Sequence, residues 1–246
     1  MKIAVISGAS SGIGAEFAKE LDKMNFDELW LIAKDDGLLD KIALGLKTKL
    51  RLISIDLTDT NAFDEIKNLY EEHIPEIEYL VCSAGVGFNG AFNNISQKQI
   101  DLTISINCTA LTLLNKISLP YLKHGARIIN IASGSGFMPQ PYFAVYAASK
   151  SYVISFSRAI GYELKKDNIY VTAVCPGPVN TSFFSSLENV KEYKKKYLIT
   201  PEKVAIGGLK AAKKRKKVYT PTLSMKLVHL ASKLLPTSLA LKFYKE

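Results

Sequence analysis

The chain has 246 residues, of which 48% are hydrophobic and 22% charged, so it is long enough and apolar enough to bury a sizeable core. No apolar run predicts a membrane span, and the strand-like start at residues 2–7 is too short for a signal peptide, which together favour a cytoplasmic protein. Three cysteines without short spacing argue against a disulfide framework or a zinc site, and no metal site is predicted. Cys82 and Cys175 end apolar runs and are expected to be buried free thiols.

The formal charge of +9 is unevenly distributed along the chain. Residues 191–246 hold 15 basic and 3 acidic residues, whereas the rest of the chain holds 17 basic and 20 acidic residues. One interpretation is weak contact between this basic quarter and an anionic membrane; the other is an ordinary solvated surface. The basic runs at 194–196 and 213–217 lack interleaved aromatic residues, so a nucleic-acid partner is not favoured.

Strand-like and helix-like patterns alternate along most of the chain. The predicted strands are residues 2–7, 28–33, 50–55, 78–82, 126–132, 170–175 and 217–220. The predicted helices are residues 12–24, 37–47, a segment ending at 69, 97–122, 144–166 and 201–213. Such alternation predicts an α/β fold, a doubly wound, seven-stranded parallel sheet with helices on both faces.

The pattern changes after residue 220. Residues 222–235 have leucines at helical spacing, and Pro236 ends that run. We therefore expect residues 222–246 to form a helical, basic tail. It is either packed on the domain or a mobile cover over a site.

A glycine-rich loop follows the first strand, with Gly8, Gly12 and Gly14 at its turn into the first helix. In this position the backbone can approach a pyrophosphate at the positive end of a helix, as in a Rossmann-type dinucleotide-binding domain. We expect a single domain of this type to span residues 1–246. Ser10, Ser11 and Ile13 complete the predicted loop. The alternative is a tight turn that needs glycine for its backbone alone.

The end of the second strand distinguishes between the two nicotinamide cofactors. An acidic residue there binds the ribose 2′-hydroxyl of NAD, whereas a basic residue favours the 2′-phosphate of NADP. Ala33 occupies the acidic position and Lys34 follows it, so NADP(H) is favoured over NAD(H). Asp35 and Asp36 come next, and Lys34 as a solvated strand-end charge is the alternative.

Tyr146 and Lys150 lie four residues apart at the start of a long predicted helix and therefore share one face of it. An ammonium beside the phenol is expected to lower the tyrosine pKa, which suits proton exchange with an alkoxide or alcohol. Tyr162 and Lys166 repeat the spacing, but they lie where the helix is ending and are interpreted as a surface pair. Only Tyr146 follows a strand that ends in a serine, Ser133.

The order of these motifs resembles the short-chain dehydrogenase/reductase family over roughly residues 1–220. Matching positions are Gly8, Gly12, Gly14, Asp56, Leu57, Asn107, Ser133, Tyr146 and Lys150, followed by Pro176, Gly177, Val179 and Thr181. Cys82 and Ser83 replace two asparagines that usually precede Ala84-Gly85, which puts their contacts in doubt but keeps the backbone route. The chain also lacks an Asp-Gly-Gly ending, as does a bacterial branch of the family.

The resemblance implies a role for each matched residue. Tyr146 would be the general acid or base, Ser133 would position the carbonyl oxygen, and Lys150 would lower the tyrosine pKa and bind the nicotinamide ribose. Asn107 would hold a water that relays protons to Lys150, and Asp56 would hold the adenine. The resemblance also implies a homodimer through the helices that carry Asn107 and Tyr146, with a tetramer as the alternative.

The expected reaction is carbonyl reduction or alcohol oxidation with NADP(H). Residues 181–200 are expected to cover the substrate, and their aromatic residues indicate an apolar ketone or aldehyde, although ordinary loop packing explains them equally. A catalytically weak NADP(H)-binding regulator, or a protein associated with membrane surfaces, is the alternative function.

Overall fold

A computed structural model describes residues 1–187 and 197–236 together with residues 238 and 241. Its centre is a sheet of seven parallel strands in the order β3-β2-β1-β4-β5-β6-β7. The strands are β1 (Lys2–Ser7), β2 (Glu28–Ala33), β3 (Leu50–Ser54), β4 (Glu76–Cys82), β5 (Leu122–Ile131), β6 (Tyr170–Val174) and β7 (Val218–Tyr219). The predicted α/β class, strand number and parallel arrangement are confirmed.

Helices connect the strands and cover both faces of the sheet. They are α1 (Gly12–Asp22), α2 (Asp36–Ala43), α3 (Asn61–His73), α4 (Gln97–Ile104), α5 (Leu111–Ser118), α6 (Ala144–Glu163), α7 (Ser182–Ser185), α8 (Pro201–Lys213) and α9 (Leu223–Leu234). The strand order reverses between β1 and β4, because the chain leaves β1 towards β2 on one side and returns to β4 on the other. A crevice opens at the carboxyl ends of strands at such a point, and it is the usual ligand site of open α/β sheets.

Alternating side chains of β1 belong to two separate apolar cores. Ile3 and Val5 pack with Trp30 and Tyr70 on one face, whereas Ala4 and Ile6 belong to a second core on the other face. Both faces of β1 and β2 are therefore buried, which is why these strands are continuous apolar runs in the sequence. All three cysteines are free and buried, as expected for Cys82 and Cys175.

The long helix predicted over residues 97–122 is interrupted. Between α4 and α5 the backbone takes a π-helical turn, Ser105–Ala110, which includes Asn107. The π-helical turn inserts an extra residue into the helix and often marks a functional position. The helical stretch then ends in a 3₁₀ turn, Leu119–Tyr121.

The helical stretch Gln97–Tyr121 has a mean hydropathy of 1.2, so by length and composition alone it meets the criterion for a membrane span. This differs from the expectation that no segment does so. Parts of it contact β4, α3 and α6, and 44% of the segment is buried within the protein. Core helices of globular proteins pass the same test, so this one segment does not by itself indicate a membrane span.

Candidate active site

The glycine loop is held tightly between β1, α1 and the end of β4. Gly8 and Gly12 have positive φ angles of 66° and 54°, a conformation that favours glycine. A Cβ atom at Gly14 would lie 2.1 Å from the Gly8 carbonyl oxygen, so only glycine lets α1 approach the loop this closely. A tight turn alone would not require this third glycine.

The first turn of α1 keeps its backbone N–H groups available. Ser11 is the N-cap residue but makes no side-chain capping hydrogen bond. Thr181 lies opposite, with its Cγ2 atom 3.1 Å from the position of a Cβ at Gly12. Unpaired N–H groups at a helix start attract anions, which suits the phosphates of a dinucleotide.

The charged groups after β2 are paired with one another. Lys34 Nζ lies 2.6 Å from Asp56 Oδ2, so two residues that were predicted to bind different parts of the cofactor contact each other here. Asp35 caps α2 by accepting from Leu38 N at 2.8 Å, and Asp36 accepts from the Ser54 hydroxyl. Both of these carboxylates have contacts within the protein.

Asp56 is strongly favoured as a carboxylate. The hydrogen bond from Lys34 lowers its pKa to about 2, and the Thr58 backbone N–H and hydroxyl add to the effect at 2.9 and 2.8 Å. The next residue, Leu57, is buried in the core of the sheet. The carboxyl end of β3 therefore presents an ionised acceptor at the edge of the crevice.

Tyr146 and Ser133 meet at the carboxyl ends of β5 and β6. The Ser133 hydroxyl lies near enough to the Tyr146 phenol to act on its pKa, and Ser133 Oγ accepts from Ser135 N at 3.1 Å. The Tyr146 ring stacks on Phe143 at 4.3 Å between centroids. The main chain at Gly87 presses on the ring, since a Cβ there would lie 2.4 Å from Tyr146 Cδ2.

The pKa of Tyr146 differs from the sequence prediction. Burial raises it to about 12, and the hydrogen bond to Ser133 opposes this only in part. The expected lowering by Lys150 is absent because the ammonium lies 5.7 Å from the ring centroid and points elsewhere. The phenol is therefore protonated at neutral pH in this state.

Lys150 is buried and donates to the Ile131 carbonyl oxygen at 2.9 Å. Burial lowers its pKa to about 8, well below the ordinary value of a lysine. A Cβ atom at Gly85 would lie 3.3 Å from both Lys150 Nζ and Asn107 Oδ1. Glycine at this position thus keeps a space open beside both polar atoms.

Asn107 ties the π-helical turn to the segment that follows β4. Its amide donates to the Val86 carbonyl oxygen at 2.8 Å and accepts from Val86 N at 3.0 Å. It also donates to Ser149 Oγ at 2.9 Å, and Ser149 in turn donates to the Tyr146 carbonyl oxygen at 2.7 Å. Asn107 therefore joins the helix of Tyr146 and Lys150 to the end of β4.

The segment after β6 closes the crevice from the far side. The Pro176 carbonyl oxygen accepts from Gly134 N at 2.8 Å, which ties this segment to the loop of Ser133. Gly177 follows, and Val179 pairs with Ile199 in an isolated parallel bridge. This bridge brings the two ends of the segment 181–198 together over the carboxyl edge of the sheet.

Aromatic side chains line the space next to Tyr146. Phe183, on α7, lies 5.4 Å from the Tyr146 ring, and Phe143 stacks on the opposite side of the same site. Residues 188–196, including the predicted substrate-covering residue Tyr193, lie outside the described part of the chain. Phe143 and Phe183 thus give the Tyr146 ring apolar neighbours.

Other amide side chains lie at the end of β4, where Cys82 and Ser83 replace the two asparagines that are usual in the family. Asn115, on α5, donates to Cys82 Sγ at 3.4 Å and to Asn130 Oδ1 at 3.1 Å, and Asn130 donates to Ser157 Oγ at 3.0 Å. Asn115 of α5 and Asn130 of β5 thus provide part of the polar contact that an asparagine in place of Cys82 would make. Ser83 N still donates to the Ser7 carbonyl oxygen at 3.2 Å, so the backbone route is intact.

Three contributors to the site had no recognisable signal in the sequence. Ser149 and the Ile131 carbonyl bind Asn107 and Lys150, and they are ordinary residues of a helix and a strand. Met225, on α9, lies against Gly134 and Gly177. By contrast, the Tyr162 side chain is 77% exposed, in agreement with its interpretation as part of a surface pair.

Comparison with known proteins is consistent with this site. The sequence model of the short chain dehydrogenase family matches residues 2–192. An uncharacterised oxidoreductase of Staphylococcus epidermidis is 32% identical over 182 residues, covering 73% of this chain and 79% of the relative.

Two solved structures are similar over the whole chain. A short-chain dehydrogenase from Sphingobium yanoikuyae in complex with NADPH has a TM-score of 0.82 at 26% identity, covering 100% of this chain and 97% of that one. A bulky-bulky ketone specific alcohol dehydrogenase from Comamonas testosteroni has a TM-score of 0.79 at 26% identity, covering 100% and 95%. The glycine loop, the parallel sheet and the family match lead to one conclusion: the chain belongs to the short-chain dehydrogenase family of oxidoreductases.

Proposed function

We propose that this protein interconverts a carbonyl group and an alcohol with NADP(H), using Tyr146 as the general acid or base. The observation that carries the proposal is the buried contact between Tyr146 and Ser133, with Lys150 on the same helix face, at the switch point of the sheet. A phenol held in its protonated form can give a proton to a carbonyl oxygen as that oxygen gains negative charge.

Each polar group has a separate task in the proposed reaction. The Ser133 hydroxyl, which lies near the Tyr146 phenol, orients the carbonyl oxygen beside it. The Lys150 ammonium stabilises the phenolate that remains after proton transfer. Asn107 and Lys150 border the space beside Gly85, where the proton-relaying water that the family resemblance implies would bind.

The cofactor would bind along the carboxyl edge from β3 to β6. The glycine loop and the free N–H groups of α1 suit its pyrophosphate, and Asp56 suits its adenine end. Ala84 and Gly85, followed by the segment from Pro176 to Thr181, would border the nicotinamide half. A bound nicotinamide cofactor supplies or accepts the hydride, while the protein orients it.

The preference for NADP(H) rests on Lys34. Ala33 offers no carboxylate to a ribose 2′-hydroxyl, and the neighbouring Asp35 and Asp36 have contacts of their own. Releasing Lys34 from Asp56 costs little, because an exposed ion pair contributes only about 0–1 kcal/mol. A 2′-phosphate with nearly two negative charges can therefore recruit the ammonium.

The apolar walls formed by Phe143 and Phe183 favour an apolar ketone or aldehyde as substrate. Segment 181–200 would cover it. The solved relative from Comamonas testosteroni is described as specific for bulky-bulky ketones, which supports this substrate class. A homodimer would form through the exposed faces of α5 and α6, where Thr112 and Tyr152 share a hydrogen bond at 2.8 Å.

A panel of ketones, aldehydes and alcohols, assayed with NADPH and with NADH, tests the proposal. We expect turnover of apolar carbonyl compounds, faster with NADPH, measured as loss of nicotinamide absorbance. Tight NADPH binding without turnover of any member would instead favour a cofactor-binding regulator.

Lys34→Ala is expected to weaken NADPH binding about tenfold and to leave NADH binding nearly unchanged, since only NADPH carries the 2′-phosphate. Titration of intrinsic fluorescence with each cofactor measures both dissociation constants. Lys67→Ala is the matched control, because Lys67 also pairs with a carboxylate, Glu71, but lies on α3. Equal losses for both cofactors, or wild-type binding of NADH tighter than of NADPH, would contradict the preference.

A further inference from the structure

One face of helix α9 packs on loops that border the candidate site. Met225 Sδ would be 2.6 Å from a Cβ at Gly134, and Met225 Cγ would be 3.2 Å from a Cβ at Gly177. The His229 ring stacks on Phe137 with centroids 4.3 Å apart and an interplanar angle of 13°. The inner face of α9 thus covers the loops that follow β5 and β6.

The opposite face of α9 carries four exposed leucines. Successive residues of a helix are about 100° apart, so spacings of four, three and four place these leucines within an arc of about 60°. Their exposed fractions are 71% for Leu223, 59% for Leu227, 54% for Leu230 and 73% for Leu234. A single exposed leucine is ordinary, but an aligned row on a helix of 12 residues is an apolar stripe that no described part of the chain buries.

The lysines of the helix itself, Lys226 and Lys233, make its charge positive. Lys226 and Lys233 project from α9 at its edge, with both side chains exposed. Arg158 of α6 and Lys233 are near enough to His229 to help lower its pKa, although burial contributes most. The sequence contains no Asp or Glu between residues 203 and 245, where it holds 11 Lys and Arg.

The leucine stripe and the lysines beside it together distinguish between possible partners. A row of leucines flanked by lysines on a helix lying flat at the surface suits a bilayer with anionic headgroups, since the leucines enter the acyl boundary and the lysines meet the phosphates. A symmetric contact between two copies of α9 would instead bring like charges together. The surface therefore favours lipid over self-association.

The basic run predicted as a membrane contact at residues 213–217 does not belong to this surface. The Arg215 guanidinium lies over the Tyr170 ring at 4.3 Å, at the first residue of β6. Lys216 accepts from Thr172 through its carbonyl oxygen at 2.7 Å. These contacts place the run at the amino edge of the sheet, opposite α9, and residues 194–196 lie outside the described part of the chain.

We propose that the leucine stripe of α9 docks on a lipid bilayer that carries anionic headgroups. Because the inner face of the same helix covers Gly134 and Gly177, docking would bring this side of the candidate site to the bilayer surface, a consequence that rests on the proposed function. The docking itself depends only on the outer face.

Sedimentation of the full chain with vesicles tests docking without any substrate. Phosphatidylcholine vesicles are compared with vesicles that also contain phosphatidylglycerol, at low and high salt. We expect binding to the anionic vesicles that weakens with salt, and at least about a tenfold loss of that binding in the Leu227→Gln/Leu230→Gln variant. Lys226→Gln/Lys233→Gln should weaken binding to anionic vesicles alone.

Leu44→Gln is the matched control, because Leu44 is 89% exposed and lies after α2. It should bind vesicles as the wild type does, and circular dichroism should show that both leucine variants keep their helix content. No sedimentation of the wild type with anionic vesicles at low salt, or full binding by the double leucine variant, would overturn the proposal. A larger mass without vesicles that the double variant loses would also overturn it and identify a contact between copies; turnover assayed without vesicles tests the reaction separately.

Discussion

Tyr146→Phe is expected to lower kcat/KM for carbonyl reduction by about a thousandfold while the affinity for NADPH stays within about twofold of the wild type. The substitution removes only the hydroxyl group that would donate the proton. The aromatic contacts of the ring with Phe143 and Phe183 remain, so the walls of the site keep their shape.

The control for this variant is Tyr162→Phe on the same helix. Tyr162 has a lysine four residues later, Lys166, but its side chain is exposed to solvent. The control should retain full turnover and the same melting temperature. Steady-state kinetics of both variants measure these effects. A Tyr146→Phe enzyme that keeps most of its activity would refute the role of Tyr146 as the general acid.

Lys150→Met is expected to reduce turnover at least about a hundredfold and to make the folded protein more stable at neutral pH by about 1 kcal/mol. Turnover falls because no ammonium remains to stabilise the Tyr146 phenolate. Stability rises because a buried charge is replaced by an apolar side chain of similar length, which outweighs the lost hydrogen bond to the Ile131 carbonyl. Kinetics and thermal unfolding of the variant measure the two effects.

The pH dependence follows from the lowered pKa of Lys150, about 8 in the folded protein. Between that value and the ordinary lysine value, the unfolded chain binds more protons than the folded one, so this group makes stability rise with pH in that window. Below about pH 8 the penalty for burying the charge is fully present. The stability gained in Lys150→Met should therefore shrink as the pH rises through the window, whereas Lys166→Met, an exposed control, should show no such trend.

Carbonyl reduction by the wild type should be level at neutral pH and fall as the pH rises through about 8, where Lys150 loses its proton. Tyr146, with a pKa raised to about 12, stays protonated over the same range and does not cause the fall. A profile of kcat/KM against pH measures this directly. A rate that stays level from neutral pH to well above pH 8 would contradict the role of the ammonium.

The parallel sheet was predictable because its central strands are buried on both faces. β1 and β2 are continuous apolar runs, and their predicted bounds agree with the structure. The start of β5 was not predictable. It begins at Leu122 rather than residue 126, because Leu122 pairs with Ile77 of β4 although the residues Lys123 to Gly125 have no apolar pattern.

The candidate site, too, was predictable from the sequence only in part. The order of Asn107, Ser133, Tyr146 and Lys150 along the chain identified the family, and the structure brings all four to the carboxyl edge of the sheet. The π-helical turn around Asn107 was not visible, because its apolar spacing resembles that of an ordinary helix.

The sequence by itself determined the fold class, the glycine loop and the family, because each depends on residue types at short or regular spacings. Only the tertiary structure decided which groups meet. The Lys34–Asp56 pair joins the ends of two strands, and Met225 reaches Gly134 from a helix about 90 residues later. The raised pKa of Tyr146 likewise results from burial by several elements at once, which no local pattern contains.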